Sequence, residues 1–487
     1  MNLLRRGLCA LVFLPLFLPA AEPRVLRLGC FDFPSVLNPV YATSETAQAV
    51  MNKIHQALFY FDPAGEIRPE LVADWQWDEG RLEISLTLKK GVRFANGAAL
   101  RSQDVAATIE LLKNPIYEYP YLSDLAFIEK IAVVDPWRMR IKLKEKFAPW
   151  KNYLTFKILS ADDIGGCAPG AFRSRLPMGC GPFQIEKVNE PRAIVLKENP
   201  YYGNRGSFTH VVYSVLRDPQ QGPLKLLNDE LDAVDVQSDD VQSYHQLPEW
   251  RERFRLVRYK KFGYTYLVFN LKNPLIDLNF RRLFYNRLLA SPFLDAFLKG
   301  AGEKVFSPFL YLSDSVRARP LPAAAPSQRR HLRILANSES TLRTQLVLFL
   351  CEEMKAFNVE LEPVFVEYQT FLKYLKQGNF DLAVSAFLLD MDWNLKDILS
   401  SSGYFNYAGF VDAQMDALLE SGLREMDEKK RRLIYLDAHE RWLASLPFIP
   451  LFNLNYFMGV SKLLKIPAGR FQTIGSTGDF FYTLQDW

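Results

Sequence analysis

Between residues 81 and 112 the hydrophobic pattern changes its period. From Arg81 to Leu88, Leu82, Ile84, Leu86 and Leu88 fall on one face and Glu83, Ser85 and Thr87 on the other. That alternation is the mark of a half-buried strand. Asp78-Glu79-Gly80 ahead of it is a turn signal, and Asn96-Gly97 behind it is a tight turn that needs positive φ. Ser102 then reads as a helix cap, with Asp104 adding negative charge to the first turn. Val105, Ile109 and Leu112 follow at helical spacing.

The same reading extends along the chain. Strands are expected over 24–33, on both sides of Asp135-Pro136 within 127–148, and over 266–274. Helices are expected over 46–60 and 280–300, and a strand–helix–strand unit over 211–236. From 331 to 386 the pattern gives strand, helix, strand, helix, strand. Such alternation predicts an α/β fold. At 487 residues the chain exceeds one ordinary core, so two or three domains are expected. Residues 316–330 (VRARPLPAAAPSQRR) break the pattern and read as a linker or exposed loop.

The first 21 residues carry Arg5-Arg6, an apolar run from Leu8 to Leu18, and the small residues Ala20 and Ala21. This is the layout of a secretory signal peptide, and the run is shorter than the roughly 20 residues of a membrane span. Cys9 lies inside the apolar run, so no lipobox is read. Without the leader's arginines, 57 basic residues face 55 acidic ones. That near-neutral balance gives no case for nucleic acid.

Four cysteines follow the leader: Cys30, Cys167, Cys180 and Cys351. Cys30 and Cys351 read as buried, inert thiols. Cys167 and Cys180 sit in loop-like sequence. In an oxidising compartment such a pair can close a disulfide contributing about 3 kcal/mol, although connectivity is not legible from sequence. The five histidines are scattered, with no paired metal-ligand spacing, and His439 beside Glu440 reads as an exposed helix face. No nucleophile elbow, phosphate loop or dinucleotide fingerprint is present, so neither a catalytic reaction nor a cofactor is expected.

LVADW, LTLKKGVRFANG and ALRSQDV, in that order and spacing, resemble the signature of the bacterial family 5 extracellular solute-binding proteins, the receptors of peptide and nickel ABC importers. PMGCGPFQI, ENPYY, YLVFNLKNP and LKQGNFDLAVSAF continue the resemblance, which spans residues 24 to about 465. The family's usual helix near 316–330 has no counterpart. The resemblance implies a two-lobed, type II periplasmic binding protein with three structural domains. The first is discontinuous (22–60, 175–270 and 465–487), the second is 61–174, and the third, 271–464, is the second lobe. Peptide-binding members pair the ligand's α-ammonium with an Asp three residues after an aromatic. Here those positions are Phe387 and Asp390, with Trp393 a candidate pocket wall and Tyr41 and Thr43 candidate cleft residues. A cap for a helix near Trp393 is the other reading of Asp390. The implied function is an exported, monomeric receptor that captures short peptides and delivers them to an inner-membrane permease. A nickel-chelate or haem receptor and a periplasmic sensor or chaperone are the alternatives.

Overall fold

The computed structural model describes residues 24–62, 64–165, 167–204, 206–312, 315–466, 473–474 and 481–482, and the expected leader lies outside them. Three sheets organise these residues. An eight-stranded mixed sheet has the order Thr473–Ile474, Phe254–Lys261, Tyr456–Ser461, Ala233–Val236, Val25–Cys30, His210–Val215, Ala193–Glu198, Phe183–Asn189. Its central strand, Val25–Cys30, runs parallel to both neighbours and buries Leu26 and Leu28 beneath the helix Glu45–Ile54.

The second sheet is antiparallel, in the order Val72–Asp78, Glu83–Leu88, Arg138–Leu143, Ile128–Asp135. Ile84 and Leu86 lie opposite Ile141 and Met139, and all four are buried. The alternation therefore holds, but Leu82 takes a left-handed turn (φ 51°) and the strand starts at Glu83. Ser102 is the first residue of its helix rather than the cap. Its hydroxyl donates to the Asp135 carbonyl, while the Asp104 carboxylate accepts from the N–H groups of Arg101 (2.7 Å) and Ala161 (2.8 Å).

The six-stranded sheet has the order Gly302–Lys304, Phe448–Leu454, Gly263–Phe269, Leu382–Leu388, Arg330–Asn337, Val359–Val366. It forms the second lobe around its own core. The backbone crosses between lobes by two adjacent strands. Phe254–Lys261 becomes Gly263–Phe269 across Phe262, and Phe448–Leu454 becomes Tyr456–Ser461 across Asn455. Gly263 is required at this crossing, because a Cβ there would lie 2.1 Å from the Phe387 carbonyl oxygen.

Several expectations are corrected. The helix from 46 stops at Ile54, where Gly179-Cys180-Gly181 crosses its end and the Gly181 N–H donates to the Ile54 carbonyl (2.7 Å). Phe59–Phe61 is instead a strand paired with Ile67–Pro69. The 280–300 helix is two helices, Leu278–Leu288 and Phe293–Leu298, separated at Ser291-Pro292 because proline has no N–H to donate. The Cys167–Cys180 disulfide is not formed. Both thiols are free: Cys180 is fully buried against the helix end, and the Cys167 Sγ turns to the Ala168 carbonyl. His439 is buried, not exposed, with Nδ1 3.0 Å from Ser307 Oγ.

The stretch 316–330 has no helix, as read, but it is a strap rather than a free linker. Asn279 and Asn286, two turns apart on one helix, each hold it by a pair of amide hydrogen bonds, to Ala324 (2.8 and 2.9 Å) and Leu321 (2.7 and 2.8 Å). Among the described residues no helix is long and apolar enough to cross a membrane.

Candidate functional site

The strand Leu382–Leu388 ends at the mouth between the lobes, and residues 389–393 turn across that mouth. Asp392 cannot face a ligand. It is buried and bound through both oxygens to the Arg431 guanidinium (2.6 and 2.8 Å), which also lies over the Trp393 and Tyr435 rings. This buried pair fixes the turn. Asp390, two residues earlier, points the other way, into an inter-lobe cavity of about 400 Å³. Its carboxylate accepts a hydrogen bond from the Tyr153 hydroxyl (3.2 Å). Asp390 therefore does not cap the next helix, Lys396–Leu399.

From the first lobe, the turn Leu122–Leu125 brings Asp124 to the same cavity, between Tyr121 and the Asn152-Tyr153 turn. Desolvation pushes the Asp124 carboxyl up to about 6, and the Asp390 charge adds to the shift. Asp390 is open to the cleft, yet the surrounding protein raises its pKa too, chiefly by desolvation and further by repulsion from Asp392 and Asp397. Among the described residues no lysine or arginine forms an ion pair with either carboxylate. The two acids thus face one cavity from the two lobes, walled by Tyr119, Tyr121 and Tyr153 and also lined by Lys157.

The other expected residues lie elsewhere. Phe387 stacks on Tyr266 (4.1 Å, 6°) and braces the strand behind Asp390. Trp393 packs between Tyr311 (6.3 Å) and Tyr435 (5.7 Å), as a support and not a wall of this cavity. Tyr41 is buried under the Arg173 guanidinium, and Thr43 is exposed outside the cavity. Their neighbours Pro39 and Ala42 line it, with Gln48, Met51 and Asn52 from one face of the helix Glu45–Ile54. Sequence reasoning missed Asp124, Tyr121 and Tyr153. The available signal was the tyrosine-rich run 117–121, which fits neither periodicity. Met391 is shared with a second cavity of about 890 Å³, lined by Arg258, Lys260, Glu303, Lys304, Tyr311 and Arg317 among others. Among the described residues no three His, Cys, Asp or Glu side chains are grouped to hold a metal.

The family model described as "Bacterial extracellular solute-binding proteins, family 5 Middle" matches residues 66–406, which include the whole Asp124 turn and the Asp390 turn. The chain is a family 5 solute-binding protein. The oligopeptide-binding protein AppA of Bacillus subtilis is 21% identical over 485 residues, covering 90% of this chain and 88% of that protein. Its structure with a nonapeptide matches at a TM-score of 0.71 and 19% identity, covering 96% of this chain and 99% of that one. The probable D,D-dipeptide-binding periplasmic protein DdpA of Escherichia coli is 22% identical over 490 residues, covering 92% of each chain. NikZ of Campylobacter jejuni, solved with Ni(L-His), matches at a TM-score of 0.76 and 20% identity, covering 95% of this chain and 99% of that one. The two-lobed fold of this family 5 protein is thus that of the type II periplasmic binding proteins.

Proposed function

We propose that this family 5 protein captures short peptides between its lobes, holding the free α-ammonium between Asp390 and Asp124, and passes them to an ABC permease. The observation that carries the reading is the pair of carboxylates, one from each lobe, that face one cavity. A cation between them relieves their repulsion and links the lobes, so binding and closure reinforce one another. Crossings confined to Phe262 and Asn455 give the lobes a narrow hinge. In this reading residues 61–174 form a domain that carries Asp124, residues 271–464 form the lobe that carries Asp390, and the remainder of the mature chain is the discontinuous domain that joins them. A monomer suffices, because both acids belong to one chain. A nine-residue ligand for AppA and a dipeptide for DdpA support the ligand class.

Calorimetry tests the proposal. Peptides with a free N-terminus should bind, and the same peptides N-acetylated should bind at least tenfold more weakly. Equal affinity for the acetylated forms refutes the ammonium contact. A single non-peptide ligand released from the purified protein, a nickel chelate for example, refutes the peptide reading.

A further inference from the structure

The lobes also touch outside both cavities. The turn Ala148–Lys151 of the first lobe meets the helix Ala413–Arg424 of the second and the turn that follows it. Met426, half-buried in that turn, packs against the first-lobe core that includes Trp150 and Leu154. Beside it the Arg424 guanidinium donates twice to Glu145 Oε2 (2.6 and 3.1 Å) and pairs with Glu420 on its own helix (2.8 Å). Lys151 Nζ lies 4.3 Å from the centre of the Trp75 ring. Desolvation lowers the Lys151 pKa, and the charge of Glu428 in the second lobe works against that shift. Glu145, Lys151, Arg424, Met426 and Glu428 line neither inter-lobe cavity.

This remote contact is built into the same two stretches of chain as the ligand site. In the first lobe, Lys151 is followed by Asn152, whose amide donates to the Met391 carbonyl (2.8 Å) and to Asp392 Oδ2 (3.4 Å). Tyr153 comes next and donates to Asp390. In the second lobe, Met426 precedes the helix Glu428–Ser445, which carries Arg431, the partner of Asp392. A lobe rotation that parts Asn152 from Met391 therefore also parts Met426 from the first-lobe core. The two contacts share one closing equilibrium. An exposed ion pair such as Arg424–Glu145 adds little to it, so the apolar contact carries most of the effect. Resting on the reading that the lobes close around their ligand, we infer that Met426 is a positioning residue for capture. Seated on the first lobe, it favours the closed arrangement and raises affinity for every ligand without touching any of them.

The test compares the full chain with its Met426→Ser variant. Thermal melts check that both proteins fold. Small-angle X-ray scattering of the ligand-free proteins reads the separation of the lobes, and calorimetry with tri-alanine, Ala-Phe-Ala and Ala-Lys-Ala reads affinity. The substitution should increase the radius of gyration and weaken all three peptides by one common factor, about threefold or more. An unchanged radius, a loss below about threefold, or a loss confined to one peptide, in a variant that melts cooperatively, overturns the inference and leaves the peptide reading standing. If no peptide binds the unaltered chain, the peptide reading falls and the scattering comparison alone decides the role of Met426. If Met426→Ser does not melt cooperatively, charge reversal reaches the same contact. Glu145→Lys sets two cations against each other and should open the lobes and weaken binding, and adding Arg424→Glu should restore both. No effect of the single change, or no restoration by the pair, also overturns the inference.

Discussion

At the scale of single residues, the two opposed carboxylates should separate binding from stability. Asp390→Asn removes the charge-assisted contact to an ammonium, worth about 1.5–3 kcal/mol, and should weaken peptide binding by roughly 10- to 150-fold. Asp124 behaves differently. Its pKa of about 6 lies above the ordinary unfolded value of about 3.9, so the folded protein holds the extra proton between those pH values. Stability is lost as pH rises through that window and stays lost above it. Asp124→Asn should therefore raise the melting temperature at pH 7.5, an effect on the order of 1–3 kcal/mol, but not at pH 4, while weakening peptide binding. In the unaltered protein, affinity for a free-ammonium peptide should fall as pH drops through about 6, when Asp124 takes up its proton. An affinity flat from pH 7.5 to 5 would contradict this. The place of Asp390 in the cavity was legible because it follows the end of a strand with a recognisable local motif. Asp124 and Tyr153 were not, because their role exists only once a loop of the first lobe is set against a turn more than two hundred residues later.

At the scale of elements, the Asp392–Arg431 pair holds the turn that presents Asp390. Arg431→Met leaves a buried carboxylate uncompensated, at a cost of about 3–5 kcal/mol. It should lower the melting temperature and weaken binding although Arg431 lines neither inter-lobe cavity. Restoration of both by a second change, Asp392→Leu, would distinguish an unpaired charge from lost packing. The strap gives a milder case. Asn286→Ala removes two hydrogen bonds to Leu321 and should cost about 1–2 kcal/mol, read from denaturant unfolding. Strands such as Glu83–Leu88 were legible because alternation needs only local pattern. The strap was half legible. Proline and alanine announce the absence of a helix, but side-chain amides that replace its backbone partners sit on a helix some forty residues earlier. The early end of the first helix likewise depends on a distant Gly-Cys-Gly crossing.

At the scale of the whole molecule, histidines that the core keeps neutral make stability sensitive to acid. Burial and the nearby Lys157 charge push His55 down to about 3, and burial lowers His439 in the same direction. The unfolded chain binds protons on these rings near pH 6.5, so the stability they allow is full at neutral pH and is lost as pH falls from about 6.5 toward 3. For His55 the loss is on the order of several kcal/mol. Melting temperature should fall steeply over that window, and His55→Gln should flatten the fall. A slope unchanged by that substitution would exclude His55 as its source. The paired crossings at Phe262 and Asn455 bear on how the chain reaches this state at all. Tyr259 sits directly opposite Tyr456 in the eight-stranded sheet, although 196 residues of chain lie between them. Closing a loop of that length in a disordered chain costs about 4 kcal/mol more than closing a two-residue turn. Once the second lobe has collapsed, its two ends emerge side by side and that entropic cost has already been met. The expected order of events is that the inserted lobe condenses first and the sheet that brackets it zips shut afterwards, using the finished lobe as its turn; hydrogen exchange during refolding should then protect Gly263–Phe269 before Tyr456–Ser461.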